Sequence, residues 1–235
     1  VVIQDGYGIN LIMSDLREYI RYLPSQENIQ CCTASASLTA IEIIMSMNNV
    51  SINFSRLFLY YMTRKRQNRI GQIGAELGAT LETLNNVGCC TDKLWPFIPS
   101  RVDKLPNNNC LEEANQYKCL DYETIHVDNF NLYLKQNIPI VIGMHIGRKF
   151  LKLKGSLQEQ LYYPINDIDN RPSHGHAMVI IGFDEKLNNG SWIVANSMGL
   201  RWGDKGFGVI PYSCGIDIGE AYAIRSIAGL SVKNI

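Results

Sequence analysis

Residues 26–42 read QENIQCCTASASLTAIE, with two neighbouring cysteines where a helix is about to begin. From Thr33 onward, Ala34, Leu38, Ile41 and Met45 recur at the spacing of one helical face. That spacing predicts a helix from about Cys32 to Met47 with an apolar stripe turned to the core. Cysteine is usually a small buried hydrophobe, so filling is the default role for both. A thiol becomes a reagent when its thiolate is favoured, and the unpaired N–H groups and dipole of a helix start favour it. Cys32 stands at that start.

Working outward, helices are expected over 55–65 (SRLFLYYMTRK) and 78–88 (GATLETLNNVG), the latter ended by Gly88. The second half changes character. IPIVIGMHI (138–146), HAMVIIGFD (176–184), SWIVANS (191–197) and GFGVIPY (206–212) are short β-branched runs bounded by Gly, Asn and Pro, the pattern of an antiparallel sheet. Helices first and strands later make an α+β protein of two lobes, with the border in the Asn- and Pro-rich SRVDKLPNNNC (100–110). RKFLKLK (148–154) alternates charged and apolar residues and reads as a half-exposed strand. Residues 154–173 show no periodicity, and long loops of this kind often carry function.

A chain of 235 residues, 46% hydrophobic, buries a sizeable core. Lys+Arg and Asp+Glu both number 22, so no global field draws nucleic acid or an anionic membrane. No apolar run reaches the ~18 residues that a membrane span requires. The chain begins at Val1 without a secretory leader and reads as a mature form released from a precursor, or as a domain of a larger chain. Seven cysteines leave at least one unpaired within the chain, and none of their spacings is that of a zinc site. This usage suits a reducing compartment such as the cytoplasm. N-x-S sequons begin at Asn49, Asn53 and Asn189, as chance allows in an Asn-rich chain.

A thiol nucleophile needs a base, and there are four histidines. His126 and His145 lie in strand-like surroundings and read as structural or surface groups. His174 and His176, in SHGHAMVIIGFD, lie at the mouth of a strand after the long loop. As an H-x-H pair they lack an acidic or thiol partner at ligand spacing, so no metal and no cofactor is expected.

The order Gln26, Cys32, GHAMVIIGFD, then WIVANSMGLRWGDKGFGVIPY resembles the papain-like cysteine peptidases, and especially bacterial-type members whose nucleophile block reads S-C-T-A-N-A. DLREYIRYLPSQENIQCCTASA and GATLETLNNVGCCTDKLWPF resemble two further blocks of that subfamily. The likeness implies one papain-like catalytic domain over 1–235. A mainly helical lobe at 15–110 would carry Cys32, a mainly β lobe at 111–235 would carry His176 and Asn196, and the active site would lie in the cleft between them. It implies Cys32 as nucleophile, His176 as base and Asn196 as the residue that orients the imidazole. Gln26 would complete the oxyanion hole with the Cys32 N–H. The segment GAELG (74–78) would form the substrate wall, giving Ala75, Glu76 and Leu77, with Gly175 opposite, as substrate-binding residues. The implied activity is hydrolysis of a peptide or protein substrate through an acyl-enzyme. Transfer of the acyl group to an amine or thiol, or a weakly catalytic binding module, are the alternatives.

Departures are specific. Gln30-Cys31 stands where the family has Gly-Ser, Glu27 where it has Gly, and Met198 where a tryptophan commonly shields the Asn–His bond. Trp202 is retained, and Ile29 replaces a disulfide cysteine usual in lysosomal members.

Overall fold

The structure is a computed structural model, and it describes residues 2–5, 8–11, 13–160 and 172–233; the side chains of 2–11, 119–120 and 172–174 are not described. Most of the aperiodic 154–173 segment therefore lies outside the described residues, as do the side chains of His174 and Cys119.

After a short N-terminal hairpin, β1 (Val2–Asp5) with β2 (Gly8–Leu11), comes β3 (Met13–Asp15). Then follow helices α1 (Cys32–Met47), α2 (Arg56–Arg66), α3 (Leu77–Asn86) and α4 (Asn108–Ala114). The second half supplies β4 (Cys119–Thr124), α5 (Phe130–Leu134), β5 (Ile140–Gly147), α6 (Arg148–Leu151) and β6 (Pro172–Asp184), then β7 (Ser191–Ala195), β8 (Phe207–Pro211), β9 (Ile218–Ile227) and β10 (Leu230–Ser231). The fold is α+β, with a helical lobe against an eight-stranded antiparallel sheet.

The sheet runs β10-β9-β5-β6-β7-β8, with β3 on β6 and β4 on β9. Thirteen-residue β6 is its spine: β5 pairs with residues 172–180, β3 with 182–184, and β7 with 179–184 on the other edge. Both faces are covered, which is why its strands read as unbroken apolar runs. Alternation sorts the side chains: Ala177, Val179 and Ile181 join the core around α1, whereas Met178 and Ile180 join a second core with Phe130, Phe183 and Trp192. Gly182 is where β3 crosses closely, since a Cβ there would stand 2.1 Å from the Ser14 carbonyl oxygen.

Helix α1 begins and ends where its periodicity predicts, but it is buried on nearly every side and not along one stripe. Ser35, Ser37 and Thr39 are as enclosed as Leu38 and Ile41, because α1 lies between the other helices and the sheet. Helix α2 is capped by Ser55, whose Oγ accepts from Phe58 N–H at 3.1 Å. Gly88, at φ +81°, stops the chain after α3, and a Cβ there would strike the Ala114 carbonyl oxygen.

One expectation is overturned: RKFLKLK is no strand. Its first four residues form α6, because Phe150 and Leu153 must both reach the core. A strand would send them to opposite faces, whereas three residues of helix-like chain bring them to one. Phe150 packs on Trp202 with ring centroids 5.1 Å apart, and its carbonyl accepts from Trp202 Nε1–H at 2.8 Å.

Candidate active site

Cys32 opens α1 as its first helical residue, half-buried, while Cys31 caps the helix from outside and is fully buried. The two thiols thus face different environments. Cys31 Sγ lies 3.8 Å from Ser35 Oγ, and burial pushes the thiol up to about 12. The first-turn N–H groups of α1 have no side-chain cap. At Cys32, burial also pushes the thiol up, and the backbone N–H groups of Ala177, Thr33 and Cys32 pull against it. Burial therefore opposes the thiolate here, and an adjacent cation would favour it.

The imidazole of His176 is buried at the cleft, and its Nε2 is 2.8 Å from Asn196 Oδ1. Asn196 Oδ1 also accepts from the Ser197 N–H at 2.8 Å, which makes that atom the amide oxygen and His176 Nε2 a donor. In the neutral ring Nδ1 is then the acceptor. Asn196 is held by its own N–H bonding the Gly206 carbonyl at 3.0 Å, just after β7 ends.

Gln26 is fastened to the same loop from the other side. Its N–H bonds the Ser197 carbonyl at 2.8 Å, Ser25 bridges Met198, and Ser197 Oγ–H donates to Gln26 Oε1 at 2.5 Å. The Gln26 amide oxygen is occupied, leaving Nε2–H as a donor.

Two hollows meet at Cys32 and His176. One, about 280 Å³, lies against residues 26–30. The other, about 540 Å³, is walled by Gly74, Ala75, Glu76 and Leu77 on the helical side and by Gly143, Gly175 and Glu220 on the sheet. Buried Arg64 orders the helical wall. Its guanidinium donates to the Gln72 and Val102 carbonyls, pairs with Asp103 at 2.7 Å and stacks 4.0 Å from the Tyr60 ring centroid. Tyr60 Oη accepts from the Gly74 N–H at 2.8 Å. GAELG is at once a helix start, with Glu76 preceding Leu77, and a cleft wall.

Among the described residues no three His, Cys, Asp or Glu side chains group closely enough to hold a metal ion, and no helix is long and apolar enough to cross a membrane. A partly buried thiol and a buried imidazole thus share a two-sided groove on this chain. The sequence model of the papain family cysteine proteases matches residues 13–224. The chain belongs to that family. It is similar to an uncharacterized peptidase C1-like protein, L477, of Acanthamoeba polyphaga mimivirus, at 28% identity over 200 residues, which is 80% of this chain and 63% of that protein. The chain thus spans less than two thirds of that curated relative. Its fold is similar to xylellain, a cysteine protease from Xylella fastidiosa, with a TM-score of 0.79 at 23% identity over 92% of this chain and 86% of that one. It is also similar to the bromelain protease of Ananas comosus solved with the E64 inhibitor, with a TM-score of 0.66 at 19% identity over 91% and 98%.

Within this papain-family chain the departures acquire a geometry. Glu27 has φ +48°, left-handed backbone that glycine adopts far more readily than a residue with a Cβ. Cys31 turns into the core and so does not crowd the groove, whereas exposed Gln30 lines both hollows. Met198 packs half-buried against the second core. Three groups at the site escaped the sequence reading. His145, read from its strand as a structural or surface group, is exposed and also lines the larger hollow, opposite Gly175 in the β5–β6 register. Glu220 reaches the site through β9 with no local signal to mark it, and Ser197, although it stands in the quoted SWIVANS run, has no role of its own in that reading.

Proposed function

We propose that this papain-family cysteine protease hydrolyses peptide bonds through an acyl-enzyme on Cys32, with His176 as acid and base, Asn196 orienting the imidazole and Gln26 stabilising the oxyanion. The observation that carries this reading is the 2.8 Å bond from His176 Nε2–H to Asn196 Oδ1, which fixes the tautomer of the imidazole on the groove that Cys32 also lines.

The Cys32 proton moves to His176 Nδ1, and the thiolate–imidazolium pair supplies the cation that the buried thiol lacks. The sulfur attacks the peptide carbonyl carbon, and the negative charge passes to its oxygen, to be met by Gln26 Nε2–H and the Cys32 N–H. The C–N bond breaks as the imidazolium gives its proton to the leaving amine. Water then attacks the thioester, losing a proton to His176, and the carboxylate product leaves as Cys32 recovers its proton. Asn196 keeps the ring in one tautomer throughout.

The test compares Cys32→Ala with Cys31→Ser under reducing conditions, reading turnover of a fluorogenic peptide and stoichiometric labelling by an epoxysuccinyl probe. Cys32→Ala abolishes both and Cys31→Ser keeps most of each; the reverse pattern removes the proposal. Product analysis with added amines separates hydrolysis from acyl transfer.

A further inference from the structure

No lysine or arginine lines the larger hollow among the described residues, and two carboxylates do, Glu76 and Glu220. Glu220 is the better placed of the two. On β9 it stands opposite Gly143 of β5 in the antiparallel register. A Cβ on Gly143 would lie 2.9 Å from Glu220 Cγ and 3.0 Å from Oε1, so the missing side chain at 143 is what lets Glu220 lie across β5 at the hollow.

The carboxylate is also held. Tyr222 Oη–H donates to Glu220 Oε2 at 3.1 Å, and the same hydroxyl lies 3.0 Å from where a Gly78 Cβ would be, at the first turn of α3. Burial, with Glu220 beside it, raises the Tyr222 phenol to about 12, so it remains a donor at neutral pH. Among the described residues Glu220 has no cationic partner. Its one neutral donor leaves Oε1 with unused acceptor capacity in a half-buried setting. Glu76 adds negative charge at the wall, and Arg69, 4.0 Å away across an exposed gap, does little to cancel it.

A peptide side chain entering this hollow removes water from Glu220. An apolar one leaves the carboxylate desolvated and unpaired, and an acidic one adds repulsion; an ammonium or guanidinium replaces the lost water with a charge-assisted hydrogen bond. We infer that the hollow selects a lysine or arginine side chain of the bound peptide, with Glu220 as its counter-charge and Gly143 as the residue that makes room for it. This rests on the reading of the groove as the peptide-binding site of the protease.

Binding is measured by calorimetry on Cys32→Ala, using peptides in which each of the three residues before the scissile bond is set in turn to Arg, norleucine or Glu. At one position Arg binds about 10- to 100-fold more tightly than norleucine, with Glu weakest. In Cys32→Ala/Glu220→Gln, whose amide still accepts from Tyr222, the Arg preference shrinks to about threefold or less. Gly143→Val in place of Glu220→Gln, which displaces the Glu220 side chain, lowers it as well. The inference is overturned if norleucine or Glu binds as well as Arg at every position, if Glu220→Gln leaves an Arg preference intact, or if no peptide binds. Turnover by the unmodified chain is read separately: Arg-selective binding without hydrolysis defeats the acyl-enzyme proposal alone, and hydrolysis without Arg selectivity defeats this inference alone.

Discussion

The Ser197 hydroxyl donates to Gln26 Oε1 at 2.5 Å, tying the residue after Asn196 to a side chain 171 positions earlier in the chain. Ser197→Ala removes the tie and leaves the Gln26 amide free to rotate its oxygen toward the groove. We expect kcat to fall about 3- to 30-fold with KM nearly unchanged, and Ser197→Thr to restore most of it, as measured by steady-state peptide hydrolysis. Gln26→Ala lowers kcat further, on the order of 10- to 1000-fold. A Ser197→Ala loss confined to KM would show that Ser197 does not position the amide.

Glu27 occupies left-handed backbone at φ +48° with no Cβ-free residue to ease it. Glu27→Gly relieves about 1–2 kcal/mol of backbone strain and adds unfolded-state entropy worth about half of that. The net gain of about 0.5–1 kcal/mol raises Tm by about 1–4 °C, checked by calorimetric melting. A lowered Tm would mean that the side chain at 27 contributes more than its backbone costs.

Arg64 is 2% exposed and joins α2 to the cleft wall through Gln72, Val102 and Asp103. Arg64→Ala empties a buried site and leaves the Gln72 and Val102 carbonyls and Asp103 without their shared donor, at a cost of about 2–4 kcal/mol, visible as a lower urea midpoint. Because the wall at 74–77 loosens, KM rises more than kcat falls. Equal loss in both, with stability unchanged, would contradict this role.

Buried thiols make the fold sensitive to alkali. Cys31 is raised by burial from 9.0 to about 12, so between those values the unfolded chain has lost a proton that the folded one keeps. Stability from this thiol is complete below pH 9 and falls as pH rises toward 12, by about 4 kcal/mol in all. Burial pushes Cys89 up as well, which steepens the same limb. Urea midpoints should fall from pH 9 upward, and Cys31→Ala, whatever its cost at pH 7, should show a shallower fall. An unchanged slope would assign the alkaline limb to other groups.

Much of this was open to reading from the residues. The helix over 32–47 is written in Ala34, Leu38, Ile41 and Met45, and the strands in β-branched runs, because period and branching are local properties of a chain. The blocks around Gln26, Cys32, His176 and Asn196 carried the family, since each is a short ordered string. What no local string contains is which surfaces meet. RKFLKLK alternates like a strand, yet Phe150 is bent into α6 by its contact with Trp202, 52 residues on. His145 is a surface residue, as its strand suggested, and only the register with β6 shows that the surface it occupies is the groove beside Gly175. Glu220 acquired a meaning only when β9 paired with β5, laying its carboxylate over a glycine 77 positions away. These are cross-strand and cross-lobe contacts, fixed by which faces exclude water together, and a linear pattern records periodicity but not partners.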